Sequence, residues 1–210
     1  MYLFTRTAQL TGPLREAFGW AAEITAFVNG HGASHVSLWS ATYGQPVGTV
    51  TWTTWVDSMA DISTLFVALE SHDDYHEVLA SGRDFLAAPA QDEIRQLVHG
   101  VPPETPPPAG AVVVRTTAMV ANGQYVAALG WGADMAGHVE KVSGQPSFFL
   151  MDSFGGFGQV TWFSVSPDVA AAEAANDAIN SDADYLARLS DVATLFLPGS
   201  GHRAMATKLV

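Results

Sequence analysis

The sequence predicts an α+β fold in which two β-α-β-β-α-β units close on each other to form one internal barrel, and three observations predict it. Residues 1–100 and 111–210 repeat one another. Thr7-Ala8 recurs as Thr117-Ala118, Gly48 as Gly158, Val50-Thr51-Trp52 as Val160-Thr161-Trp162, and Asp74-Tyr75 as Asp184-Tyr185, each 110 residues later. Within each copy, strand-like alternation and helix-like periodicity follow in the same order. Between the copies, residues 101–110 carry Pro102, Pro103, Pro106, Pro107 and Pro108, a composition that reads as a semi-rigid spacer rather than part of either unit. A repeat of this length is well above the roughly 20–50 residues of a solenoid unit, so each copy is a folding unit with its own packed layer.

Tyr2–Ala8 and Ala111–Ala118 are rich in β-branched and aromatic residues and read as opening strands. Helices follow over Pro13–Val28 and Gln124–Val142. Leu14, Phe18, Thr25 and Val28 recur at helical spacing in the first, as do Tyr125, Leu129, Ala133, Ala136 and Val139 in the second. Pro13 suits a first helical turn, where its missing N–H costs nothing, and Asn29-Gly30 reads as a stop. The shift drifts to 111 at Gly19-Trp20 against Gly130-Trp131 and returns to 110 by Gly48, which confines insertions to turns.

Hairpins come next: Ser34–Thr42 with Gly48–Trp55, and Pro146–Asp152 with Gly158–Val165, joined by Gly44-Gln45-Pro46 and Gly155-Gly156. His35, Ser37, Trp39 and Ala41 share one face of the first of these strands. Helical periodicity resumes over Asp57–Leu69 and Pro167–Ile179, then over His72–Ser81 and Asp182–Leu189, and Glu93–Val98 and Arg203–Leu209 are the closing strands.

Composition limits the function classes. Nine basic residues against 21 acidic ones give a formal net charge of −12, which repels phosphate backbones and anionic membranes alike. The absence of cysteine excludes disulfides, thiolate nucleophiles and thiolate metal ligands. No charge-free apolar run reaches the roughly 18 residues of a membrane span, and the N-terminus opens into a strand without a basic leader, so the expectation is a cytoplasmic protein. Nothing matches a dinucleotide fingerprint, a P-loop or a nucleophile elbow.

The β-α-β-β-α-β order is the split βαβ, or ferredoxin-like, arrangement, which leaves one sheet face bare; a second unit covers it. In element order and duplication the whole chain resembles a tandem fusion of the dimeric α/β-barrel superfamily. It is similar in organisation to NIPSNAP-like, EthD-like, antibiotic-biosynthesis monooxygenase and chlorite dismutase-like proteins. The expected fold is thus two fused ferredoxin-like units forming an intramolecular pseudo-dimeric α/β barrel. The resemblance implies a small organic ligand and includes cofactor-free monooxygenases and haem enzymes. It assigns no residue a role.

Candidate residues are those the two copies do not share. His35 is the general-base candidate, since histidine alone titrates near neutrality unperturbed. Trp39, Tyr43 and Trp55 are candidates for ligand binding, combining apolar wall and polar handle. Arg6 and Arg115 occupy opposite faces of equivalent strands. An isolated guanidinium is too costly to bury, so each needs a carboxylate or water, and Arg6 is placed among the ligand-binding candidates. His72 and His76, four apart, could supply two metal nitrogens, but Asp182 and Leu186 replace them in the second copy; a solvated helix face is the alternative, and no metal site is expected.

The leading expectation is a small-molecule-binding protein or cofactor-free monooxygenase-like enzyme acting on an aromatic or polyketide-like metabolite, with no cofactor. The alternatives are a non-enzymatic structural or assembly protein with a filled barrel core, and a haem enzyme using a histidine as axial ligand. The expected partners are a small hydrophobic or aromatic molecule and, through helix faces or strand edges, another copy of the chain; neither nucleic acid nor membrane is expected.

Overall fold

The computed structural model describes residues 1–190 and 192–210. Among these residues eight strands run β1 (Tyr2–Gln9), β2 (Ser37–Tyr43), β3 (Thr49–Val56), β4 (Gln91–His99), β5 (Val112–Met119), β6 (Ser147–Phe154), β7 (Gln159–Ser166) and β8 (His202–Lys208). They form a closed barrel in the order β1-β3-β2-β8-β5-β7-β6-β4, antiparallel at every seam. Each half contributes four strands, and the halves meet where β4 pairs with β6 and β8 with β2. Among the described residues, closure leaves no edge of this sheet free.

Outside the barrel lie α1 (Leu14–His31), α2 (Met59–Glu70) and α3 (Asp73–Ser81) from the first half, and α4 (Tyr125–Ser143), α5 (Val169–Ser181) and α6 (Ala183–Ser190) from the second. Strand alternation divides the side chains between two cores. Ala8, Leu38 and Val50 face out and pack with Ala17, Trp20 and Ile24 of α1. Phe149 and Val160 do the same with Ala128 and Ala136 of α4. Leu3, Phe148 and Leu150 face in, with Trp55, Leu97, Phe163 and Val165 against them.

Two boundaries move by three residues from their expected places. The α1 helix runs past Asn29-Gly30 to His31, where the Gly32 N–H closes on Val28 O at 2.7 Å. Strand β2 starts at Ser37 rather than Ser34 because the Asn29 side chain takes both backbone groups of Val36. It accepts from Val36 N at 2.7 Å and donates to Val36 O at 2.9 Å, leaving nothing for a ladder.

The start of α2 is fixed by a capping box. Ser58 Oγ accepts from Asp61 N at 3.3 Å and the Asp61 carboxylate accepts from Ser58 N at 2.8 Å. Ser58→Ala is expected to cost about 1 kcal/mol, read as a lower urea midpoint at unchanged slope.

Candidate functional site

The barrel interior holds a cavity of about 300 Å³. Its character follows from strand parity. The inward positions include the apolar Leu3, Trp39, Trp55, Phe148, Phe163 and Val165 and the polar Thr5, Thr53, Arg95 and Arg115, with Arg115 directly across the ladder from Phe163. A second, polar space of about 180 Å³ is lined by Thr7, Gln91, Glu93, Thr117 and Gln159 and shares Gln45, Arg95 and Arg115 with the first. The interior therefore grades from aromatic to ionic along the barrel axis.

The aromatic walls are held in place. Phe148 and Phe163 stack at 4.6 Å, and Trp55 lies 5.9 Å and 6.2 Å from them. Trp39 is 7% exposed, and its Nε1–H donates to Thr53 Oγ1 at 2.9 Å. By contrast, the tryptophans that recur in both halves turn outward to the helices: Trp52 donates to Thr25 Oγ1 of α1 at 2.8 Å, and Trp162 to Gly132 O of α4 at 2.9 Å.

The halves fill the interior differently. At the β4·β6 seam, Arg95 donates from Nε to Asp152 Oδ1 at 3.0 Å and from Nη1 to Thr5 Oγ1 at 3.1 Å, and pairs through Nη2 with Glu93. Asp152 Oδ2 accepts from Gln159 Nε2 at 3.0 Å. Burial raises the Asp152 carboxyl above the ordinary carboxylate range, and Glu93 adds to this, while Arg95 opposes it. At the β8·β2 seam, Ala204 and Ala206 stand in the wall instead, and the space they leave belongs to the cavity.

Residues 101–110 do more than connect. Pro103, Glu104, Pro106 and Pro107 form part of the cavity mouth beside Ser34 and His35. The segment is tied down by Lys208, whose Nζ donates to Pro107 O at 2.6 Å, and by Gly110 N bonding Lys208 O at 2.9 Å.

Three of the five residues singled out from sequence meet at this cavity: His35, Trp39 and Trp55. His35 precedes β2 rather than lying on it, and is exposed at the mouth. Partial burial, followed by the nearby Lys208 charge, lowers its pKa from the ordinary histidine value, so the imidazole is neutral at pH 7.

Tyr43 and Arg6 do not reach the cavity. The register slips between Ala41 and Tyr43, which leaves Tyr43 66% exposed at the far end of β2. Arg6 faces outward, where it clasps Asp92 through two bonds of 2.7 Å and 2.8 Å and lies over the Phe66 ring at 5.0 Å. His72 packs on the His31 ring at 4.7 Å, and His76 Nε2 sits 3.1 Å from Glu70 O, on the helix side of the sheet. Among the described residues, no group of three or more potential ligands is arranged to hold a metal ion.

Sequence reasoning missed Arg95, Thr161, Phe148 and Phe163. Parity within the expected strands was the available signal: Thr161 and Phe163 alternate inward, and Arg95 sits two residues from Glu93 on the same face. None of the helices among the described residues is long and apolar enough to cross a membrane.

No protein-family model and no curated protein sequence matches the chain. Solved structures do. A protein from Fusobacterium nucleatum subsp. nucleatum, provisionally named a monooxygenase, superposes over 100% of this chain and 92% of its own at a TM-score of 0.74 and 10% identity. An anthrone oxidase-like protein covers 100% and 91% at 0.69 and 14%. A protein from Lactobacillus acidophilus, also provisionally named a monooxygenase, covers 99% and 93% at 0.68 and 8%. At these identities the likeness is one of fold, and the chain has the ferredoxin-like dimeric α/β-barrel fold in a single polypeptide.

Proposed function

We propose that this chain is a cytoplasmic protein that binds a planar aromatic molecule inside the barrel and oxidises it as a cofactor-free monooxygenase-like enzyme. The observation that carries the reading is the cavity walled by Trp39, Trp55, Phe148 and Phe163, with polar groups at its mouth, among them His35, and at its inner end, among them Arg95 and Arg115. Apolar walls with a few convergent polar groups are the usual make-up of a small-molecule site. The names of the similar structures point the same way. A cavity of about 300 Å³ weighs against the alternative in which side chains fill the barrel.

In the enzymatic version, His35 removes a proton from an acidic C–H of the ligand at the mouth. The carbanion then reduces molecular oxygen, so that a methylene and O₂ become a carbonyl and water. The described residues lining the cavity do not fit haem: the one imidazole among them is His35, exposed at the mouth, and none of the deeper ones offers an imidazole nitrogen as axial ligand.

Anthrone, a planar tricycle with an acidic methylene, is a suitable probe. It is expected to change the tryptophan fluorescence saturably and to consume one O₂ per molecule oxidised. Trp39→Ala is expected to weaken binding about tenfold or more through lost stacking and wall area. No saturable response to anthrone or to other planar aromatics would overturn the binding reading, and full turnover by a His35→Ala protein would remove His35 as the base.

The pH dependence has a defined sign. A base works when unprotonated, so the rate should fall on the acid side through a pKa below the ordinary 6.5 of histidine. Lys208→Met, which removes a neighbouring positive charge, should move that limb to higher pH.

A further inference from the structure

Among the described residues, Arg115 is the one interior guanidinium with no hydrogen-bond or ion-pair partner. Its equivalent position in the first half is Thr5, and its neighbours across the ladder are Phe163 and Ala204. It borders both the aromatic cavity and the polar space behind it, yet makes no hydrogen bond or ion pair among the described residues. Glu93 and Asp152 are the nearby carboxylates, and both are already bonded to Arg95. Burial, with repulsion from Arg95, lowers the Arg115 pKa from its ordinary value, which marks a charge that the protein leaves under-compensated.

A second, independent group lies beside the same space. Thr161 is 1% exposed and lines the cavity, and among the described residues its Oγ1 is, with that of Thr54, a buried side-chain oxygen with no hydrogen-bond partner. It lies two residues from Phe163 on β7, on the inward face, diagonal to Arg115 across the β5·β7 pair. Native proteins rarely leave such groups unmatched, so a fork of N–H donors and a free hydroxyl beside one cavity are the complement of an acceptor brought by a ligand.

We infer that Arg115 and Thr161 receive the carboxylate of an aromatic acid whose ring system lies between Trp39, Trp55, Phe148 and Phe163. The inference rests on the aromatic-cavity reading above and names its substrate class. A planar guanidinium matches a carboxylate through two parallel bonds. Glu93 and Asp152 behind Arg115 make a dianion costly there, which selects a monoanionic carboxylate over a phosphate. The charge also sets the ligand's direction, with the acid towards the polar end and the apolar body towards the mouth.

The test is calorimetric titration of the purified full chain with 2-naphthoate and with 2-naphthamide, which share shape but not charge. Wild-type protein is expected to prefer the carboxylate by about 10- to 100-fold, the range of one charge-assisted contact. Arg115→Gln should abolish that preference, and Thr161→Val should reduce it about fivefold. Equal affinity of wild-type protein for the two compounds overturns the assignment and leaves the aromatic cavity standing. Binding of neither compound overturns both. Retention of the preference by Arg115→Gln overturns the role of Arg115. The wild-type comparison decides the matter even if a variant fails to fold.

Discussion

Replacing Arg95 with methionine is expected to cost about 3–5 kcal/mol at pH 7, because it strands Asp152 in the barrel wall without its counter-charge. The side chains of Arg95 and Asp152 are 3% and 1% exposed, so neither can turn to water in place of the other. Glu93, at 27%, is freer to do so. For a chain of this size such a loss lowers Tm by roughly 6–20 °C. The pH dependence separates this account from lost packing. In the wild type, burial already raises the Asp152 pKa above its unfolded value and Arg95 holds it down. A carboxyl with a raised folded pKa supports the fold fully below its unfolded pKa, near 3.9, and loses that support as pH rises through the folded pKa. Removing Arg95 moves the folded pKa further up, so the variant's deficit should be large at neutrality and shrink towards pH 4. Arg95→Met combined with Asp152→Leu should recover most of the stability, since a buried pair replaced by apolar groups is often neutral or better. A deficit independent of pH, or undiminished in the double variant, would show that the charge is not what matters.

The same network explains how much of the site was legible beforehand. Element order, the eight strands and the helices followed from periodicity, because each strand has one face against helices and the other in the barrel, and each helix has one apolar stripe. Which residues meet across the interior did not follow. Arg95 and Asp152 lie on strands from different halves, and Thr5 on a third strand, so their meeting depends on the β4·β6 seam and its register shifts. Repetition at 110 residues does carry the contrast between Arg6 and Arg115, which occupy opposite faces of matching strands. It could not say which face looks inward. The structure turns Arg6 out to Asp92 and Arg115 in to the cavity, which exchanges the arginine placed among the ligand-binding candidates for the one left aside. Tyr43 was misplaced for a similar reason, since a bulge in β2 is invisible to alternation.

Gly82→Ala is the other large expected effect, about 3 kcal/mol or more, and it acts on the opposite side of the sheet. A Cβ at residue 82 would lie 1.8 Å from Cε2 and 2.2 Å from Nε1 of Trp20. Backbone strain has no part in this: φ of Gly82 is −94°, a value any residue adopts. The ring cannot step aside cheaply. Its Nε1–H donates to Val78 O at 2.8 Å, and it is wedged between Trp52 at 6.3 Å and Phe85 at 6.4 Å. Overpacking usually costs about 1–3 kcal/mol, and expelling a buried tryptophan about 3–5. Trp20→Phe should relieve the clash, so Gly82→Ala should cost at least 1 kcal/mol less in that background, a coupling that a double-mutant cycle of urea midpoints measures. The cycle also tests the division of labour between the two tryptophan sets. Trp20 and Trp52 belong to the helix-side core, whereas Trp39 and Trp55 line the cavity. If that division holds, a folded Trp20→Phe protein should bind planar aromatics as the wild type does, while Trp39→Ala should weaken binding and leave the Gly82 coupling unchanged. An equal loss of affinity from both tryptophan substitutions would mean that the sheet does not insulate the scaffold from the site.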